Sequence, residues 1–115
     1  MKIAVATNGG LDGNAAAHFA HCSDFVVFEV ENGEAKKSNA VKNPYSHGHV
    51  PGEIPKFVKS LGASLLITNG IGPSAIKFFE ELEIEVIYGV TGNAAELVDL
   101  YLHGKLKPNA NSCKH

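Results

Sequence analysis

No apolar run in this chain is long enough to span a bilayer; the longer ones, such as "DFVVFEV", would cover a fraction of the hydrocarbon thickness. Charge of one sign is not in excess either. The formal net charge is −2 with 19% charged residues, which gives no reason to expect nucleic acid or an anionic membrane as partner. Cysteine is scarce: Cys22 and Cys113 are the two, and no C-x-x-C pair of the zinc-finger kind stands in the sequence. The start, "MKIAVATNGG", has one lysine and a short apolar run that ends in turn residues, so it reads as a strand and not as an export signal. The expected compartment is therefore cytoplasmic and reducing, where both cysteines are free thiols or ligands rather than a disulfide. What is present suits a packed core: 44% of the 115 residues are apolar, enough for one domain over 1–106, followed by a polar, flexible C-terminal tail over 107–115.

"KIAVAT" (2–7) is a continuous apolar run closed by "NGG", the pattern of a strand buried on both faces. Residues 9–23 are rich in Gly, Ala and His with no period and read as a long loop, expected to be loosely held without ligand. "DFVVFEV" (24–30) is a second strand. Asn32-Gly33 then signals a type I′ hairpin into "EAKKSNAV" (34–41), a polar edge strand guarded by lysines. After the loop "KNPYSHGHVPG", the spacing of Ile54, Phe57, Val58 and Leu61 predicts a helix that Gly62 stops, with Pro55 in its first turn. "SLLIT" (64–68) is a buried strand. Pro73 opens a second helix with the stripe Ala75, Ile76, Phe79 and Leu82. "EVIYGV" (85–90) is the last strand, and Asn93-x-x-Glu96 forms a capping box for a helix over 94–103 that Gly104 ends. The fold class is α/β: a five-stranded mixed sheet in order 3-2-1-4-5, strand 2 antiparallel, with three helices joined by right-handed crossovers.

That topology brings the chemistry-bearing loops to one edge, the edge at which open α/β sheets bind ligands. "HFAHC" places His18, His21 and Cys22 just before the second strand. "SHGH" places His47 and His49 just after the third. "TNGG" adds Asn8 and Gly9, and "TNGIGP" adds Asn69, Gly70 and Gly72, a turn whose backbone N–H groups suit an anion. Two histidines flanking a glycine can turn to one ion, and imidazole suits several transition metals. Each feature also has a plainer reading. His18 and His21 can be solvated loop residues, Cys22 a small buried hydrophobe, and the glycines simple turns. Cys113 and His115 form C-x-H in the tail, which is long enough to return to the site and has no need to.

At "NGIGPSAIKFFEELEIEVIYGVTGNAAELVDLYLHGKLK" the chain resembles the dinitrogenase iron–molybdenum cofactor biosynthesis family, and the likeness runs from "KIAVATNG" to "GKLKP". "HFAHCSDFVVFEV" is similar to the family's "FG-x-(A/C)-x-x-F" segment, and "NPYSHGHVPGEIP" to its His- and Gly-rich loop. The resemblance implies a ribonuclease-H-like sheet. It also implies a role in carrying an iron–sulfur, iron–molybdenum or related metal–sulfur cluster between donor and acceptor proteins. By position it implies Cys22, His47 and His49 as leading ligands. Where many relatives carry arginine in that segment, this chain carries His21, which can ligate as well as pair with charge.

Other classes compete less well. A nuclease on this fold needs clustered carboxylates for two metal ions, and "KIAVAT" contains no acidic residue. A Cys–His hydrolase pair from Cys22 and His47 has no evident orienting acid. A simple Zn- or Cu-binding protein or a regulatory partner module is the alternative to a non-catalytic cluster carrier.

Overall fold

The computed structural model describes residues 1–46, 48 and 52–106. The tail expected over 107–115 lies outside them. The described chain is a mixed sheet sandwiched between helices. Its strands are β1 (Lys2–Asn8), β2 (Asn14–Ala15), β3 (Asp24–Glu31), β4 (Glu34–Lys42), β5 (Leu65–Ile67) and β6 (Glu85–Ile87), and its helices are α1 (Glu53–Ser60), α2 (Pro73–Glu81) and α3 (Ala94–Leu102). The main path runs β4-β3-β1-β5-β6, with β2 paired to β1. β1 and β5 are parallel, as are β5 and β6, whereas β3 is antiparallel to both β1 and β4.

The apolar run of β1 is explained by two cores. Ile3 and Val5 face one way, onto Leu65, Ile67, Leu97 and Val98 beneath α3. Ala4 and Ala6 face the other way, onto Phe25, Leu66, Val58 and Phe79 beneath α1 and α2. The period of two along a strand, applied to a strand covered on both sides, makes residues 3–6 apolar without a break. The β3–β4 turn has Asn32 and Gly33 at φ 53° and 78°, the two left-handed residues that a type I′ turn requires. α3 begins on the Asn93–Glu96 capping box, with the Asn93 side chain accepting from the Ala95 N–H at 2.9 Å.

Two readings need correction. β5 and β6 are three residues each, shorter than the runs 64–68 and 85–90 suggest. The segment 9–23 is not a loose loop. It contains two 3-10 turns, Gly10–Asp12 and Phe19–His21, with the sixth strand β2 between them. Its backbone is tied to distant parts of the chain: Ala15 N–H to Gly92 O (2.9 Å), Ala16 N–H to Ala6 O (2.8 Å) and Phe19 N–H to Gly70 O (2.8 Å). These partners are remote in sequence, so no local periodicity announces them.

Candidate functional site

The segment 16–22 is pinned from below. Ala16, Phe19 and Cys22 are buried. The Phe19 ring meets Phe79 edge-on at 5.4 Å between centroids and Phe25 at 6.0 Å, the tilted arrangements that aromatic pairs favour. With those three side chains turned inward, His18 and His21 remain exposed on the outer side.

They line a cleft of about 490 Å³ at the sheet edge where β1, β5 and β6 end. Its other walls are the start of α1 at Gly52, Ile54 and Pro55, and the entry to α2 at Gly70, Ile71, Gly72, Ser74 and Ala75, with Phe78 behind. α2 begins on Gly72 with no side-chain cap and has Pro73 in its first turn. The N–H groups of Ser74 and Ala75 belong to that first turn and have no intrahelical acceptor, so the positive end of the helix dipole opens on the cleft. Among the described residues no carboxylate side chain lines it.

The "HFAHC" and "SHGH" segments are brought together, as far as the described residues reach. His21 Nδ1 lies 3.1 Å from the Ser46 carbonyl. A carbonyl only accepts, so Nδ1 carries a proton, and in the neutral imidazole the lone pair is then on Nε2. Behind this contact Asn43 donates through Nδ2 to Cys22 O at 3.0 Å. It also accepts from the Tyr45 N–H at 3.0 Å, and its own N–H reaches Ser23 O at 3.0 Å. His47, His49, Cys113 and His115 lie outside the described residues.

Cys22 is placed otherwise than a leading ligand would be. It is 0% exposed, sits among Ala4, Ala6, Phe19 and Phe25, and does not line the cleft. Burial pushes its thiol from 9.0 up to about 12; the Asn43 amide opposes that rise and the charge of Asp24 adds to it. Ligation takes a thiolate, so a metal at this thiol would have to displace a proton that burial favours. Asn8, Gly9 and Asn69 are likewise engaged in the fold rather than in the cleft. Asn8 Oδ1 accepts from the Ser23 N–H (3.2 Å), Gly9 N–H reaches Ser23 Oγ (3.0 Å), and Asn69 Nδ2 reaches Val90 O (2.9 Å). Gly70 and Gly72 do line the cleft. Among the described residues no three His, Cys, Asp or Glu side chains gather as a metal-binding group.

The sequence matches the model of the dinitrogenase iron–molybdenum cofactor family over residues 1–104. The chain belongs to that family. An uncharacterised family-length relative in Methanocaldococcus jannaschii, MJ0580, is 34% identical over 110 residues, spanning 93% of this chain and 90% of that protein. The crystal structure of PH0822 superposes with a TM-score of 0.88 at 30% identity, over 99% of this chain and 100% of that one. The apo form of the orange protein of Desulfovibrio gigas superposes at 0.81 with 25% identity, over 95% and 92%. No helix among the described residues of this family member is long and apolar enough to cross a membrane. The sequence pattern assigns no site role to Asn43, to the Ser46 carbonyl or to the residues that open α1. Asn43-Pro44 is a turn signal in its own right, because an Asn side chain can accept from the backbone two residues on.

Proposed function

We propose that this protein binds and carries a metal–sulfur cluster of iron–sulfur or iron–molybdenum type, or a precursor of one, and turns over no substrate of its own. The carrying observation is the cleft: two imidazoles and an uncapped helix N-terminus face a space that no carboxylate among the described residues lines, while the thiol beside them is shut in the core. Metal–sulfur clusters are commonly anionic, and such a wall attracts them without a closed cage of ligands. Few ligands suit a carrier, which must release its cargo. On this reading the sheet is the ribonuclease-H-like platform implied by resemblance, the donors and acceptors of the cluster are the partners, and the work is done in the cytoplasm. His47 and His49 stay in the proposal as candidates because they follow Ser46 by one and three residues in the chain. Cys22 enters only if its segment opens.

Anaerobic titration of the apo-protein with a synthetic iron–sulfur cluster, followed by charge-transfer absorbance, tests this. The His18→Ala/His21→Ala variant is expected to lose most of the loading and Cys22→Ala to keep most of it. Loss confined to a folded Cys22→Ala variant would show that the thiol, not the cleft, holds the cluster. Tight Zn²⁺ binding by wild type with no cluster uptake would favour the simple metal-binding alternative.

A further inference from the structure

Asn43 is a buried polar side chain, 5% exposed, where the turn after β4 meets the segment before β3. Its amide nitrogen holds Cys22 O and faces Cys22 Sγ at 3.6 Å; its amide oxygen holds the Tyr45 N–H. The residue after Tyr45 is Ser46, whose carbonyl receives His21 Nδ1, and the residue before Cys22 is His21 itself. The Tyr45 ring meets Phe57 edge-on at 6.1 Å, which fixes the far side of the turn. Asn43 therefore sets the distance between the two backbones that the His21–Ser46 hydrogen bond bridges.

We infer that Asn43 is a positioning residue for the cleft: through Cys22 and Ser46 it holds His21 as the Nδ1–H tautomer and so offers Nε2 to the cargo. A hydrogen bond from the other ring nitrogen to a carbonyl is the usual way in which a metal-binding imidazole is oriented. This rests on the proposed cargo and narrows its class. A neutral Nε2 forms a bond by giving its lone pair to a metal atom, and the terminal ligand it replaces leaves with its own electron pair. The cargo must then contain a metal with an exchangeable terminal ligand. A saturated thiometallate, with sulfide in every position, has nowhere to accept that lone pair and would be held by the helix end alone.

Long-range ¹H–¹⁵N spectra of the imidazoles in the apo-protein read the tautomer without any cargo. His21 is expected to be Nδ1–H in wild type, although a free imidazole favours the other form. Asn43→Asp, which cannot donate to Cys22 O, and Asn43→Ala are each expected to shift it toward Nε2–H, with backbone amide spectra recorded to show that the fold is kept. An Nε2–H His21 in wild type overturns the inference whatever the variants do. Two probes are then compared: a synthetic [4Fe–4S] cluster with exchangeable thiolates, and tetrathiomolybdate. Asn43→Asp is expected to weaken the first by about tenfold, the usual scale for losing an orienting partner, and to leave the second nearly unchanged. Equal weakening of both, or of neither, overturns the claim of an open metal site. If wild type takes up neither probe while His21 is Nδ1–H, it is the cluster-carrier reading that fails, and the cargo class falls with it.

Discussion

Gly70 stands against the backbone of Ala17 so closely that a β-carbon on it would overlap the Ala17 carbonyl oxygen. The same stretch exchanges hydrogen bonds with the "HFAHC" segment: Phe19 N–H to Gly70 O at 2.8 Å and Gly70 N–H to Ala16 O at 3.2 Å. Gly72, two residues on, has open space where its β-carbon would sit and an ordinary φ of −80°. Gly70→Ala should therefore destabilise the protein by roughly 3 kcal/mol, the upper range for forced overpacking. Gly72→Ala should stay within about 0.5 kcal/mol of wild type. Urea unfolding of the two variants checks the contrast. Equal stabilities would mean that the 16–19 segment does not rest on Gly70.

Hydrogen exchange gives a second check on that segment. The amides of Ala15, Ala16 and Phe19 bond to Gly92, Ala6 and Gly70, and exchange requires those contacts to open. In the apo-protein they should exchange with protection close to that of β1, whose neighbours they join. Fast exchange at all three would return residues 9–23 to the loose loop that their composition suggests.

How far the sequence could be read depends on the range of the forces involved. β1, the β3–β4 turn and the α3 cap are each decided within a few residues, by a run of apolar side chains, by Asn32-Gly33 and by Asn93 with Glu96. Those signals are local and legible. β2 is two residues long and exists because Thr7 and Asn8 lie opposite Ala15 and Asn14, a pairing that no period can reveal. Cys22 was ambiguous for another reason. The same residue type serves as ligand or as core filler, and only the neighbours that enclose it decide which. Histidines at 18 and 21 were visible as candidates, but their separation from Cys22 depends on the inward turn of Phe19.

The state of Cys22 can be measured directly. A thiol that is 0% exposed and held protonated should react with a maleimide only through opening, so in a Cys113→Ser background labelling at neutral pH should be slow and should accelerate with mild urea. Stability should also depend on pH at the alkaline end. The folded pKa of about 12 lies above the ordinary 9.0, so the folded state holds its proton more tightly than the unfolded one. The corresponding stability is complete below about pH 9 and is lost as the pH rises toward 12, at a limiting slope of about 1.4 kcal/mol per unit. Lysines and tyrosines titrate in the same range, so the informative quantity is the difference from Cys22→Ala, which should have a shallower slope. Identical slopes would place the thiol in water.

The last prediction sets stability against binding at one position. Ser74 is exposed, lines the cleft and lies in the first turn of α2, next to Pro73. An acidic side chain there completes the charge pattern that a helix N-terminus favours, so Ser74→Asp should raise stability by about 0.5 kcal/mol at low salt. The same carboxylate would face an anionic cargo. Like charges a few ångströms apart at a protein surface repel by about 1 kcal/mol or more, so cluster affinity should fall by about fivefold or more even though the protein is firmer. Ser74→Asn supplies a side chain of the same shape without the charge and should leave affinity near wild type. The gap between the two variants should close as salt is raised, since an exposed cleft is screened over roughly 10 Å at 0.1 M. Thermal unfolding and cluster titration on the same three proteins give both signs. If Ser74→Asp stabilises and binds the cluster as tightly as wild type, the cargo is not held at the α2 end of the cleft. A loss of affinity equal in Ser74→Asn would point to shape rather than charge.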